Sequence, residues 1–213
     1  PVSPPDTPFL ITPPEGNSAF WVGHAVGTQG YVCLPTSAGA STASWTVNSA
    51  RPEATLFQDV GEQDRQIITH FLSPNTNPNE AAPKPLPFGN ATWQSSFDSS
   101  KVWAQVFDVN SMPASIPAGS HPSCPNTGSI PCLLLESIGS ETGPTGGRVL
   151  TRTSFIQRLN TKGGAAPGTG SHLCVPLHKF SSQFAAAVFF CLRRSIAALH
   201  NSLVETPFPV LAI

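Results

Sequence analysis

The stretch AFWVGHAVGTQGYVC, residues 19–33, decides the fold class predicted for this chain. Neighbouring side chains of an extended strand point to opposite faces, and this stretch sorts into two such faces. One face carries Phe20, Val22, His24 and Val26, and the other carries Trp21, Gly23 and Ala25. Gly27 and Gly30 allow a bulge or bend before the extended pattern resumes at Tyr31. The stretch therefore predicts a long β-strand.

Further short strands are predicted along the chain, each bounded by turn residues. They are SWTVN (44–48), EATLFQD (53–59), QIITHFL (66–72), SKVWAQVFD (100–108), PCLLLESI (131–138) and RVLTRTSFIQRLN (148–160). The last is the longest alternating run, while residues 73–90 and 109–130 are predicted to be long loops. This spacing is typical of a β-sandwich or a β-barrel.

Composition supports the same fold class. The chain has 213 residues, which fits one domain, and its 23 Pro and 17 Gly disfavour long helices. We expect an all-β domain over residues 17–174, preceded by an extended, proline-rich segment over residues 1–16. Residues 175–213 form an atypical tail, and apolar residues spaced at a helical period from 184 to 199 predict a C-terminal helix in it.

Net charge and the length of the apolar run exclude two classes of partner. The net charge is -1 and the 11 Lys and Arg are dispersed, so we expect no nucleic-acid binding. The apolar run 184–192 is about half the roughly 20 residues that span a bilayer, so we expect no membrane span. A cell-wall glycan or an extracellular protein is left as the partner, and the oligomeric state is not predicted.

Cysteine usage and one sequon predict a secreted glycoprotein. None of the five Cys forms a CxxC pair, which favours disulfides over a zinc or redox site. Asn90 to Thr92 form an N-glycosylation sequon in a stretch predicted to be an exposed loop. The chain begins at Pro1 without an initiator Met, which is what removal of a signal peptide leaves. An extracellular location follows from these features together.

Catalytic motifs are missing from the sequence. It contains neither the GxSxG of an esterase nor the GxGxxG of a dinucleotide-binding fold, and no cofactor is predicted. A hydrolase acting on an ester or glycan would use His70 with a nearby carboxylate for proton transfer. The candidate catalytic residues are His70, Glu53 and Arg158. Glu53 and Arg158 could equally form a structural ion pair.

No metal site is predicted either. The candidate ligands fit no established spacing, and they are His24, His70, His172, Cys174 and His178.

Aromatic residues are the candidates for binding. Four of them would stack on sugar rings if they were exposed on one face, and these are Trp21, Tyr31, Trp93 and Trp103. Large aromatic residues at alternating positions are more often part of a core.

Several motifs in order make the chain similar to the DUF3455 family. They include GTQGYVC (27–33), PEATLF (52–57), CLLLES (132–137) and IQRLNTKGGAAP (156–167). Members of the family are secreted fungal and bacterial proteins without an established function. The resemblance covers roughly residues 8–174. It implies an extracellular, mainly β domain and a disulfide between Cys33 and Cys174. It supplies no active site, and the chain after Cys174 departs from the family pattern.

The remaining cysteines and the last motif lead to two structural predictions. Cys124 is expected to pair with Cys132, closing a short loop, which leaves Cys191 free. Gly163 and Gly164 of IQRLNTKGGAAP are expected to supply positive φ in the turn that ends a strand.

The function predicted from sequence is therefore a secreted, non-catalytic binding domain. The extracellular hydrolase with His70 is the alternative.

Overall fold

The computed structural model describes residues 2–46, 52–61, 63–74, 89–167, 174 and 179–193. It confirms the all-β prediction, and among these residues the only helical turn is a 3₁₀ turn at Phe9–Ile11. The strands are β1 (Asn17–Pro35), β2 (Ala43–Thr46), β3 (Pro52–Val60), β4 (Gln63–Ser73), β5 (Asn90–Ser95), β6 (Lys101–Val106), β7 (Asp108–Val109), β8 (Met112–Pro113), β9 (Ser115–Ile116), β10 (Cys132–Glu141), β11 (Phe155–Gly163) and β12 (Lys179–Arg193). None of the described helical residues forms a helix with the length and apolar character needed to cross a lipid bilayer.

Within the described residues, eight strands close into an antiparallel barrel. Their order is β1, β3, β4, β5, β6, β10, β11 and β12, and β12 pairs with β1 to complete the ring. Each strand pairs with the next barrel strand along the chain, so the barrel is an up-and-down meander. Of the two predicted architectures, the chain adopts the barrel. A separate hairpin joins β7 to β8, while β2 and β9 extend the wall at β1 and β10.

The two faces of the barrel wall pack into two separate cores. Inward-facing residues form the first core, which includes Leu56, Val102, Ile156 and Phe190. The second core lies against the outer faces of β10, β11 and β12, where the N-terminal segment and the β9 region cover them. Ile11 is fully buried there, and its carbonyl oxygen accepts a hydrogen bond of 2.7 Å from Gln157 Nε2. The proline-rich segment thus covers part of the wall.

The predicted C-terminal helix is wrong over residues 179–193, which form β12. This strand lies between β1 and β11, so the barrel continues past the predicted boundary at residue 174. Its inward residues, such as Phe184 and Phe190, join the first core, and its outward residues Ala187 and Phe189 join the second. A segment that is apolar on both faces contains helical spacings as well as alternation, so periodicity alone cannot assign it. Residues 194–213 lie outside the described part of the chain.

The predicted strand 148–160 is correct only in its second half. Residues 148–154 form turns, because the amides of Thr151 and Thr153 donate to the carbonyl oxygens of Arg148 and Leu150. Leu150 is fully buried in the first core, so its apolar character reflects packing of a turn.

The loop predictions also need correction. Asn90 begins β5 and is only 6% exposed, so the expectation that the sequon lies in an exposed loop is wrong. The segment 109–130 contains the hairpin strand β8 and the short strand β9.

The predicted disulfides are confirmed. Cys33 is bonded to Cys174, and Cys124 to Cys132, while Cys191 is unbridged and buried. The predicted positive φ of the glycine pair is confirmed, since Gly163 and Gly164, at the end of β11, have φ of +74° and +79°.

Candidate functional site

A cavity of about 270 Å³ lies inside the barrel. Its walls come from most of the barrel strands and are largely apolar, with Leu56, Leu135, Ile156 and Val188 among them. Three inward positions that border the space, on β1, β3 and β5, carry alanine, whose small side chain leaves room. These are Ala25, Ala54 and Ala91. Larger side chains there would fill the interior, as they do elsewhere in the barrel.

Among the described lining residues, three bring polar side chains into this apolar space: Gln29, His70 and Arg158. Gln29 is only 7% exposed, and its amide has no hydrogen-bond partner among the described residues. The Gln29 amide is not among the fully buried, unpartnered side-chain groups of the described residues, so it faces the accessible space of the cavity. It is therefore available to a molecule that enters the cavity.

His70 is held in one orientation. Its Nδ1 lies 2.8 Å from the carbonyl oxygen of Thr92, and its ring stacks on Trp93 with the ring centroids 4.1 Å apart. A carbonyl only accepts, so Nδ1 carries the proton and Nε2 is left as an acceptor. Burial lowers the pKa of His70 to about 4; the bond to Thr92 opposes this, and the charge of Arg158 adds to it. His70 is therefore neutral at pH 7.

Arg158 is a half-buried cation beside the same space. Its Nε and Nη2 donate to the carbonyl oxygen of Pro131 at 3.2 and 2.8 Å. Burial lowers its pKa to about 10, while the nearby Tyr31 raises it, so the guanidinium stays charged at neutral pH. The two ion pairs among the described residues, His24 with Asp59 and Lys101 with Glu141, do not involve it.

Tyr31 links the Gly163–Gly164 pair to the cavity end of the barrel. Its hydroxyl donates to the carbonyl oxygen of Gly164 at 2.5 Å. Burial raises the pKa of Tyr31, and the charge of Arg158 acts in the opposite direction. A Cβ on Gly164 would lie 2.7 Å from Cβ of Phe184, so this position needs glycine for space as well as for φ. The motif IQRLNTKGGAAP thus supplies both Arg158 and the anchor of Tyr31.

The cavity brings together two of the three candidate catalytic residues, and the third, Glu53, lies near His70 only at an open depression on the outside of β1, β3 and β4. His70 and Arg158 line one cavity, whereas Glu53 is exposed and next to the inward-facing Ala54. Neighbours on a strand face opposite sides, so Glu53 lies on the outer surface of the barrel. Glu53 and Arg158 do not form the ion pair considered from sequence. No carboxylate side chain lines the cavity in the part of the chain that the structure describes.

The four candidate aromatic residues do not form an exposed platform. Trp93 and Tyr31 are 4% and 6% exposed and lie in or beside the barrel interior. Trp103 is buried against the outer wall, where its Nε1 donates to Ser73 Oγ at 2.9 Å. Trp21 is half-buried and packs against Phe97 and Phe190. Only Trp93 among the four lines the cavity.

The candidate metal ligands are separated. His24 lies on the outer surface, 3.8 Å from Asp59 Oδ2, and Cys174 is in a disulfide. His172 and His178 lie outside the described residues. Across the described ranges, no three His, Cys, Asp or Glu side chains are close enough to hold a metal ion.

Sequence reasoning missed Gln29 and the three alanines. Gln29 lies in GTQGYVC and Ala54 in PEATLF, but Ala25 and Ala91 lie outside these motifs, so the signal was spread over separate stretches of the chain. It became meaningful only once the strand register placed them around one space.

One of three comparisons with known proteins found a match. A family model described as a protein of unknown function, DUF3455, matches residues 13–191. The match extends through most of β12, beyond the limit of the resemblance noted from sequence. Searches of curated proteins and of solved structures found no match.

Proposed function

The chain belongs to the DUF3455 family, and we propose that it is a secreted binding protein that takes a small, largely apolar molecule into its barrel. The observation that carries the proposal is the cavity, which is apolar over most of its wall and has a few oriented polar groups. This combination is typical of small-molecule sites.

The cavity volume supports a small organic ligand. An apolar protein cavity of about 150 Å³ binds benzene. The barrel cavity, at about 270 Å³, has room for a larger body, such as a fused aromatic pair or a medium-length alkyl chain. Transfer of such a body from water to an apolar wall is favourable at roughly 25 cal/mol per Å² of buried surface.

Secretion is supported by the sulfur chemistry. Disulfides persist in oxidising compartments and are rare in the cytosol of most organisms. The chain has two of them, and one joins positions 141 residues apart. The Asn90 sequon stays a prediction, because burial in the folded barrel does not test modification of the nascent chain.

An enclosed ligand is favoured over a polysaccharide. A long glycan needs an open face with exposed aromatic rings, and Tyr31, Trp93 and Trp103 are buried. The cell-wall glycan therefore stays a prediction from sequence without further support. The hydrolase alternative is not carried forward, because the described lining of the cavity lacks a carboxylate that could act with His70.

The proposal is tested with N-phenyl-1-naphthylamine, a neutral apolar dye whose fluorescence rises in apolar sites. We expect saturable binding to the wild-type protein with micromolar affinity. Ala91→Phe places a large ring in the cavity and should reduce binding at least tenfold. Gln94→Phe is the matched control, since Gln94 lies on the same strand with its side chain on the outer wall.

Two results would contradict the proposal. One is the absence of saturable dye binding to folded wild-type protein. The other is equal loss of binding in both variants when circular dichroism shows that both are folded.

A further inference from the structure

We infer that the molecule bound in the barrel carries a carboxylate, and that Arg158 binds it. This inference rests on the proposed function and adds the chemical class of the ligand. Its basis is the set of polar groups that the chain brings to the cavity and does not satisfy itself.

The guanidinium of Arg158 has unused donors. It carries five N–H groups, and two of them are accounted for by the Pro131 carbonyl oxygen. Three are left without a protein acceptor among the described residues. A planar guanidinium matches the two oxygens of a carboxylate, and such charge-assisted pairs are about twice as strong as neutral hydrogen bonds.

Among the described residues, no carboxylate forms an ion pair with this positive charge. No described carboxylate lines the cavity, and neither described ion pair includes Arg158. A cation moved out of bulk water without a counterion carries a free-energy cost. A ligand anion would offset this cost, whereas a neutral ligand would leave it in place.

The other polar groups fit a carboxylate better than a second cation or a dianion. Gln29 offers an amide N–H to a further oxygen. His70 is neutral and adds no second positive charge, so a doubly charged phosphate would exceed the charge available. The remaining wall is apolar and suits an alkyl or aryl body. The expected ligand is therefore an apolar carboxylic acid in its ionised form.

The experiment compares two molecules of equal chain length, octanoate and 1-octanol, as competitors of N-phenyl-1-naphthylamine at pH 7.5. We expect octanoate to bind wild-type protein about 10- to 100-fold more tightly than octanol, the range given by a charge-assisted hydrogen-bonded pair. Arg158→Met should remove this preference while the neutral dye still binds. Arg65→Gln is the control, because Arg65 is exposed and stacks over Phe97 away from the cavity.

The outcomes separate the two proposals. If the dye does not bind wild-type protein, the proposed function fails. If the dye binds but octanol competes as well as octanoate, the carboxylate inference alone is overturned. Retention of the octanoate preference in Arg158→Met would also overturn it. Should Arg158→Met fail to fold, the wild-type comparison of octanoate with octanol still decides the matter.

Discussion

The two ends of the barrel interior are built from the same strands but differ in how far side chains fill the space between them. At one end, Trp21, Ile67, Leu150 and Phe190 fill the space between the strands. At the other, alanines replace large residues and a cavity is left. Apolar side chains dominate at both ends, so side-chain size along each strand contributes to where the barrel is hollow.

The polar groups differ in the same way. At the filled end, Asp98 Oδ1 accepts from the amide and hydroxyl of Ser100, and Oδ2 accepts from the amide of Val149. Both carboxylate oxygens are thus used within the chain. At the hollow end, the Gln29 amide and three N–H groups of Arg158 are unused by described residues. Satisfied polar groups stabilise a fold, whereas unused ones beside a cavity indicate a ligand.

The largest expected effect concerns the disulfide at the hollow end. Replacing Cys33 and Cys174 by Ser should lower the free energy of unfolding by about 5 kcal/mol, because the bridge closes a loop of 141 residues. Replacing Cys124 and Cys132 should cost about half as much, since that bridge spans 8 residues. Urea denaturation of both double variants provides the measurement. Equal losses would show that loop size is not the main cause.

Truncation of a core side chain should separate the two ends directly. Ile67 is fully buried at the filled end, so Ile67→Ala should lower the free energy of unfolding by about 4 kcal/mol. Leu72 is half-buried and already borders the cavity, so Leu72→Ala should cost about 1 kcal/mol. Denaturation by guanidinium chloride measures both. Similar costs would mean that the hollow end is as tightly packed as the filled one.

The protonation of His70 should make the hollow end sensitive to acid. Its pKa falls from 6.5 to about 4 in the fold, so between these values the unfolded chain binds the extra proton. The contribution of His70 to the free energy of unfolding is fully present above pH 6.5. It is lost as the pH drops toward 4, by up to about 3 kcal/mol. His70→Gln should remove this slope in the free energy of unfolding. The control His24→Gln changes an exposed histidine and should keep it.

A smaller effect than that of His70 is expected from Asp98 at the filled end. Burial raises the pKa of Asp98, but hydrogen bonds from Val149, Ser100 and Ser95 outweigh it and leave the pKa below its ordinary value. Its stabilisation is therefore present above the unfolded pKa and is lost as the pH falls through the lower folded one. Asp98→Asn should cost about 2 kcal/mol at pH 7. The difference from wild type should shrink as the pH falls through the lowered folded pKa of Asp98, and a constant difference would refute the assignment.

Sequence alone predicted the parts of the fold that depend on local chemistry. Alternation predicted β1 and β6, the glycine pair predicted positive φ at the end of β11, and cysteine pairing was predicted in full. These features are set by neighbouring residues or, for Cys33 and Cys174, by family resemblance. His70 was identified as a candidate from its side-chain chemistry, as a group able to transfer protons, and Arg158 as a possible partner of Glu53.

The parts that depend on distant strands were missed. β12 has helical spacings, and it becomes a strand because β1 and β11 offer it two edges. The side chains of Glu53 and His70 lie on opposite faces of the barrel wall, and this depends on which face of each strand points to the interior. The cavity is bordered by the small side chains of Ala25, Ala54 and Ala91, which come from three separate stretches of the sequence. No single stretch could therefore predict it.

The pairing of β1 with β12 has a consequence for how the molecule is made. The ring joins residues near positions 17–32 to residues 179–193, so it cannot close until nearly all of the described chain has been synthesised. Before that moment β1 and β11 each present an unpaired edge, which invites association with other chains. Contacts between such distant segments also slow folding. Assembly of this protein should therefore depend on chaperoning of the nascent chain until its final strand arrives.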